Sequence, residues 1–228
     1  MRPRKRDHHS PQAVAFFDVD DTLISNKSML SFQNLWFQQH PDPIKERDFQ
    51  RILAKLKEEN CCWKSLNEAY YQSFSGRSVA QVEDLARQWF NFFHSRQSFY
   101  RARVLQRLQH HQTLGHLCVF VSGSFPALLD PIARDLNIKH ILATDLEVVG
   151  QKYTGRINPP VMIGEGKERQ VKEFLSQRSV NPENCYAYGD DISDFPMLAL
   201  VGHPVVIAGG RELEAQAKKL GWSIIQPD

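Results

Sequence analysis

The 228-residue chain holds no uninterrupted apolar run approaching the roughly 18 residues that a membrane-spanning helix needs, and no amphipathic membrane-binding helix stands out. A helical span is therefore excluded, and no stable membrane insertion is expected. Cysteine is scarce: Cys61, Cys62, Cys118 and Cys185 form no CxxC pair, and no histidine stands at zinc-finger spacing. The four read as reduced, structural thiols of a cytoplasmic protein, with Cys118 and Cys185 inside apolar runs that suit buried strands. A dominant charge is also lacking, because the net charge of +2 comes partly from the N-terminal MRPRKRDHH. Its few basic residues make a weak patch, so no nucleic-acid partner is expected. That segment has no apolar stretch of the signal-peptide kind, and residues 1–12 are expected to form a solvated, flexible tail.

What is present is an ordinary globular composition, 42% hydrophobic and 24% charged, with one unusual stretch, AVAFFDVDDTLIS from Ala13 to Ser25. Ala13 to Phe17 suits a short buried strand that breaks at once into Asp18, Asp20 and Asp21, with Thr22 behind them. Three carboxylates in four residues repel one another unless a cation or a proton sits among them. At the carboxyl end of a buried strand they would occupy the usual ligand position of an open α/β sheet.

Beyond Ile24 strand patterns vanish as far as Ser98. Phe32, Leu35 and Trp36 share one helical face, as do Ile44, Phe49, Ile52, Leu53 and Leu56, then Leu66, Ala69, Tyr70 and Phe74, and finally Val79, Val82, Leu85, Ala86, Trp89, Phe90 and Phe93. Breaks at Pro41 to Pro43, Asn60 to Cys62 and Ser75 to Gly76 separate four helices. This third of the chain holds 12 of the 24 aromatic residues, which suits the core of a small helical bundle. After Tyr100 strands return: LCVFVSGS ending in Ser122 and Gly123, Ile141 to Ala143, a hairpin around Gly150, a helix entered through Gly164 to Lys167, then CYAYGDD ending in Asp190 and Asp191, Pro204 to Ile207, and Trp222 to Ile225. Strands alternating with helices imply a parallel sheet with right-handed crossovers. The expected fold class is α/β, a Rossmann-like parallel sheet core with an inserted α-helical cap. Residues 13–23 and 99–228 form the core and 24–98 the cap, which leaves the chain beside the acidic cluster and can cover it.

The order DxDDT, an apolar strand ending in SGS, a lysine, then GDDxxD resembles the haloacid dehalogenase superfamily of phosphohydrolases. More narrowly, the cap placement and the stretch AYGDDISDFPMLALVGHPVVI resemble its phosphoserine-phosphatase-like branch, subfamily IB with a C1 helical cap, over Ala13 to Ile225. The resemblance implies Asp18 as nucleophile and Asp20 as general acid and base, and Asp20 argues for phosphoryl chemistry over carbon–halogen cleavage. It implies Mg2+ held by Asp18, the backbone carbonyl of Asp20 and Asp190, with Asp194 orienting a metal water or Lys167 or ligating directly. Ser122, the amide of Gly123, and Lys167 would hold the phosphoryl oxygens. Thr22 is expected to fix Asp20, Asp21 to be a turn residue, Asp191 a surface or outer carboxylate, His203 structural, and His110 and His111 solvated.

The expected partner is a small-molecule phosphate ester. Phosphoserine phosphatases of this branch place an acidic residue shortly after DxDxT and an arginine on a cap helix, whereas this chain has Lys27 at the first position and no arginine before Arg77 in the helix near Trp63. The expected substrate is therefore a phosphorylated small metabolite other than phosphoserine. Lys27 either meets a negative group on that substrate or is a solvated lysine, and Trp36, Trp63 or Tyr70 either stack on an apolar part of it or belong to the core. A phosphotransferase using the same aspartyl-phosphate and a non-catalytic phosphate-binding module are the alternatives. The sequence leaves the oligomeric state open.

Overall fold

The computed structural model describes residues 13–59 and 63–228. The tail expected over residues 1–12, and Cys61 and Cys62, lie outside the described residues. In chain order the first half comprises β1 (Val14–Phe17), α1 (Ser28–Gln39), α2 (Pro43–Glu58), α3 (Trp63–Gln72), α4 (Val79–His94) and α5 (Ala102–Thr113). There follow β2 (Leu117–Ser122), α6 (Pro126–Asp135), β3 (His140–Ala143), β4 (Asp145–Val149), β5 (Lys152–Asn158) and α7 (Glu165–Arg178). The chain closes with β6 (Tyr186–Gly189), α8 (Phe195–Leu198), β7 (His203–Ile207), α9 (Arg211–Leu220) and β8 (Ser223–Ile225).

Six strands form one sheet in the order β3-β2-β1-β6-β7-β8, and every neighbouring pair is parallel. The unbroken apolar run of β1 follows from this placement. Successive side chains point to opposite faces, so Ala15 and Phe17 enter the core on one side of the sheet while Val14 and Phe16 enter the core on the other. In β2, Cys118 and Phe120 join the first core and Val119 and Val121 the second. Both faces are covered, which is what a parallel sheet requires. Full burial of each Phe here is worth about 2 kcal/mol or more. Chain order runs outward from β1 in one direction through β2 and β3 and in the other through β6, β7 and β8. The switch point of this α/β sheet therefore lies at β1 and β6, where Asp18 and Asp190 emerge.

Helices α1 to α4 form the cap. Its entry and exit segments pair with each other, Ser25 N–H donating to the Phe99 carbonyl and Arg101 N–H to the Leu23 carbonyl, both at 2.9 Å. In α4 the buried residues are Val82, Leu85, Ala86 and Trp89, the stripe that the spacing predicts. In α2 the expected face is narrower than the pattern, since Phe49 and Leu53 are buried but Ile44 is 71% exposed and Ile52 43%. Ile44 stands in the first turn of α2. The β4–β5 hairpin clasps the cap: Gly76 N–H donates to the Tyr153 carbonyl, Tyr153 N–H to the Arg77 carbonyl, and Val79 N–H to the Gln151 carbonyl.

His111 corrects one expectation. It is not solvated but 3% exposed, with Nε2 2.8 Å from the Tyr188 hydroxyl and Nδ1 2.8 Å from His116 Nδ1. It lies on the face of α5 that packs against the sheet, beside Val104 and Leu108, and that face decides its burial. His203 stacks on Tyr186 with ring centroids 4.5 Å apart. Cys118 and Cys185 are free and buried. Among the described residues no helix is long and apolar enough to cross a membrane.

Candidate active site

Three adjacent strands end together. Asp18 follows β1, Ser122 closes β2 and Asp190 follows β6, so the parallel register delivers all three to one edge. The first turn of α7 adds Lys167, and the turn after β6 adds Asp194. With Asp20, Gly123 and Lys27 they line one pocket of about 240 Å3.

Lys167 is buried and donates to Asp18 Oδ1 and to Asp194 Oδ1, each at 2.6 Å. Asp194 Oδ2 accepts from the amides of Asp190 and Asp191 at 3.2 Å, while Asp191 Oδ1 accepts from Ser193 N–H. Asp194 thus holds both the lysine and the loop that carries Asp190. A Cβ at Gly189 would stand 2.6 Å from this carboxylate, so that position must stay bare.

Thr22 does not fix Asp20. Its hydroxyl donates to Asp190 Oδ1 at 2.8 Å, across the gap between β1 and β6. Asp20 is held by Ser28 instead, whose N–H reaches Oδ1 at 2.6 Å and whose hydroxyl reaches Oδ2 at 3.0 Å. Ser28 is the first residue of α1, so the carboxylate caps a helix whose amides and dipole favour negative charge there. Asp21 occupies a turn at φ 58° and pairs with Lys27 at 2.7 Å.

Beyond β2 the chain turns tightly. Ser122 Oγ accepts from Ser124 N–H at 3.0 Å, leaving its own proton free to donate. The Gly123 carbonyl accepts three bonds at 2.9 Å, from Asn67 Nδ2 and the Tyr71 hydroxyl on α3 and from the Thr144 hydroxyl after β3. A Cβ at Gly123 would meet Ile163 Cδ1 at 2.5 Å. The cap helix and the turn after β2 are therefore bonded directly to each other. Asn67 and Tyr71 carry no motif, and only their burial beside the turn reveals them.

The electrostatics of the floor are unbalanced. Burial pushes the Asp18 carboxyl well above the usual range; Lys167 pulls it back, and Asp194 and Asp190 repel it further. Burial and the Asp194 charge bring Asp190 up to about 7 despite the Thr22 bond. Burial also raises Asp20 against the two Ser28 bonds. Lys167 loses solvation, yet Asp18 and Asp194 hold it above its ordinary value, so it remains an ammonium. Carboxylate oxygens of Asp18, Asp190 and Asp194 lie within 4.8 Å of one another, a set of hard oxygen donors sharing a single bonded ammonium. Such a set fits a small divalent cation, which would relieve the remaining repulsion. The Asp20 carboxylate is turned to Ser28 and stands outside the trio.

Of the aromatic candidates, Trp63 and Tyr70 line the pocket and Trp36 does not. Trp63 lies under the Lys27 ammonium, 5.1 Å from its ring centroid. Trp36 packs against the Arg77 guanidinium in the other side of the cap.

The model of the haloacid dehalogenase-like hydrolases matches residues 15–199. A probable phosphatase of Mycobacterium tuberculosis is 31% identical over 218 residues, 94% of this chain and 75% of its own. The phosphoserine phosphatase SerB1 of the same organism is 30% identical over 217 residues, 93% of this chain and 70% of its own. Among solved structures, a Bordetella pertussis protein of unknown function superposes with a TM-score of 0.85 at 23% identity, covering 96% of this chain and 100% of its own, a likeness of fold.

Proposed function

The chain belongs to the haloacid dehalogenase-like hydrolases and is a phosphatase of that family, and we propose that it hydrolyses a small phosphorylated metabolite through an aspartyl-phosphate on Asp18, with Mg2+ as cofactor. The observation that carries this reading is the buried Asp18–Lys167–Asp194 array beside Ser122, Gly123 and Asp20 in one pocket. Asp18 attacks phosphorus while the bond to the ester oxygen breaks, and Asp20 gives that oxygen its proton. Asp20 then takes a proton from the water that attacks the aspartyl-phosphate, releasing inorganic phosphate and free Asp18. The Ser122 hydroxyl, the Gly123 amide and Lys167 hold the phosphoryl oxygens throughout, where charge develops.

Asp18, the Asp20 backbone carbonyl and Asp190 would hold Mg2+, and Asp194 would position Lys167 and the Asp190 loop. Bound there, the cation would draw charge from the phosphoryl oxygens as a Lewis acid. Lys27, at the pocket wall, is assigned to substrate contact. Two features support a substrate other than phosphoserine: Lys27 stands where an acidic residue would receive an amine, and Arg77 lies outside the pocket.

A Mg2+-dependent release screen over sugar phosphates, amino-acid phosphates, nucleotides and lipid phosphates, run with and without acceptor alcohols, tests the reading. Free phosphate formed without any acceptor and abolished by chelation is expected. Transfer to an acceptor in place of release would assign the chain to phosphotransfer, and binding without release would leave it a phosphate-binding module.

A further inference from the structure

We propose that the alcohol released by this enzyme carries an apolar group and a hydrogen-bond donor but no carboxylate, and that Tyr70 and Asn67 receive the donor. This inference rests on the phosphatase reading above and names the class of its substrate.

The pocket has two ends. At the sheet edge it is charged; above, its wall is made by Met29, Leu30, Leu53, Trp63, Leu66 and Ile163. A wall of this kind favours an apolar or aromatic body on the leaving group. Two polar atoms interrupt it. The Tyr70 hydroxyl and Asn67 Oδ1 are buried atoms of two residues that line the pocket, and they have no hydrogen-bond partner among the described residues. The Asn67 orientation is fixed, because the Gly123 carbonyl can only accept and so takes the Nδ2 end, leaving the acceptor Oδ1 free. Burial keeps the Tyr70 phenol protonated, so its hydroxyl can both donate and accept. An unpaired acceptor and an unpaired hydroxyl beside an apolar wall call for an N–H or O–H from the ligand, since leaving them unmade is costly.

Among the described residues that line the pocket, both cations are already paired with carboxylates of the protein. Of these lining residues only Lys27 and Lys167 are basic; Lys167 is bonded to Asp18 and Asp194, and Lys27 to Asp21. The acids Asp20, Asp190 and Asp191 share the lining and repel a second negative group. Arg77 is engaged elsewhere, donating to Gln33 Oε1 at 3.0 Å with its guanidinium carbon 4.3 Å from the ring centroids of both Trp36 and Phe74.

Four esters separate the requirements: phenylalaninol phosphate, which has a ring and an amine; 3-phenylpropyl phosphate, which lacks the amine; O-phosphoethanolamine, which lacks the ring; and L-phosphoserine, which has a carboxylate. With p-nitrophenyl phosphate as a general substrate, kcat/KM is expected to be highest for phenylalaninol phosphate, by about tenfold over each of the other three. In Tyr70→Phe the ratio between phenylalaninol phosphate and 3-phenylpropyl phosphate should fall several-fold without a lower thermal midpoint, because the deleted hydroxyl has no partner among the described residues. Trp63→Ala, at a site 41% exposed, should narrow the ratio between phenylalaninol phosphate and O-phosphoethanolamine. Turnover of p-nitrophenyl phosphate with L-phosphoserine equal to or ahead of the others, or ratios unmoved in both variants, would overturn the substrate class alone. No release from any of the five would overturn it together with the phosphatase reading.

Discussion

At the scale of single residues the acidic cluster divides its work by partner rather than by position. Asp18 is tied to Lys167, Asp20 to Ser28, Asp21 to Lys27 and Asp190 to Thr22. Ser28 acts on chemistry only through Asp20, so it is a positioning residue. Ser28→Ala removes the hydroxyl bond and leaves the backbone one, and kcat is expected to fall about tenfold with KM little changed. Steady-state kinetics checks this, and a rise in KM at constant kcat would move Ser28 into substrate binding. The motif order in the sequence was enough to gather Asp18, Ser122, Lys167, Asp190 and Asp194, because strand ends of a parallel sheet share an edge. The partner of Asp20 was not legible, since Thr22 and Ser28 are both hydroxyl residues nearby and only the path of the chain into α1 decides between them.

At the scale of elements the cap and core meet at one carbonyl. Asn67 and Tyr71 on α3 and Thr144 beyond β3 converge on Gly123, so the turn that would hold phosphate is shaped partly by the cap. Tyr71→Phe leaves two of the three donors in place. It should lower the thermal midpoint by about 2–4 °C, for a loss of about 1 kcal/mol, and reduce kcat/KM through the displaced turn. A scanning measurement with parallel kinetics tests both, and an unchanged midpoint with unchanged kinetics would remove the latch. The alternating strands and the α4 stripe were legible because burial there is periodic. The α2 face was not, since Ile44 and Ile52 fit the period but are exposed. The clasp of the β4–β5 hairpin on the segment from Gly76 to Val79 was equally hidden, being made of backbone bonds that no side chain announces.

At the scale of the whole molecule the sheet is a frame whose two faces are both covered, and its stability carries a pH dependence of stated sign. Burial, with His116, His110 and Arg107 nearby, pushes the His111 imidazole from 6.5 down to about 4. His116 and His140 are lowered too, both chiefly by burial. At these three histidines the unfolded chain takes up protons below about pH 6.5 that the native chain refuses, so their contribution to stability falls as pH drops from there toward about 4, while the raised carboxyls of Asp18, Asp20 and Asp190 work in the opposite direction. His111→Asn should be less stable near neutrality but show a flatter decline over that window, as read from thermal midpoints against pH. A decline equally steep in the variant would assign the acid sensitivity elsewhere. The central claim, that Asp18 carries the phosphoryl group, is tested most directly by acid-quenching the enzyme during turnover with Mg2+ and locating phosphate on its peptides by mass spectrometry. Phosphate is expected on the peptide bearing Asp18 in the native enzyme, and neither phosphate nor turnover in Asp18→Asn. Sustained turnover in Asp18→Asn, or turnover of the native enzyme with no phosphate on that peptide, would contradict it.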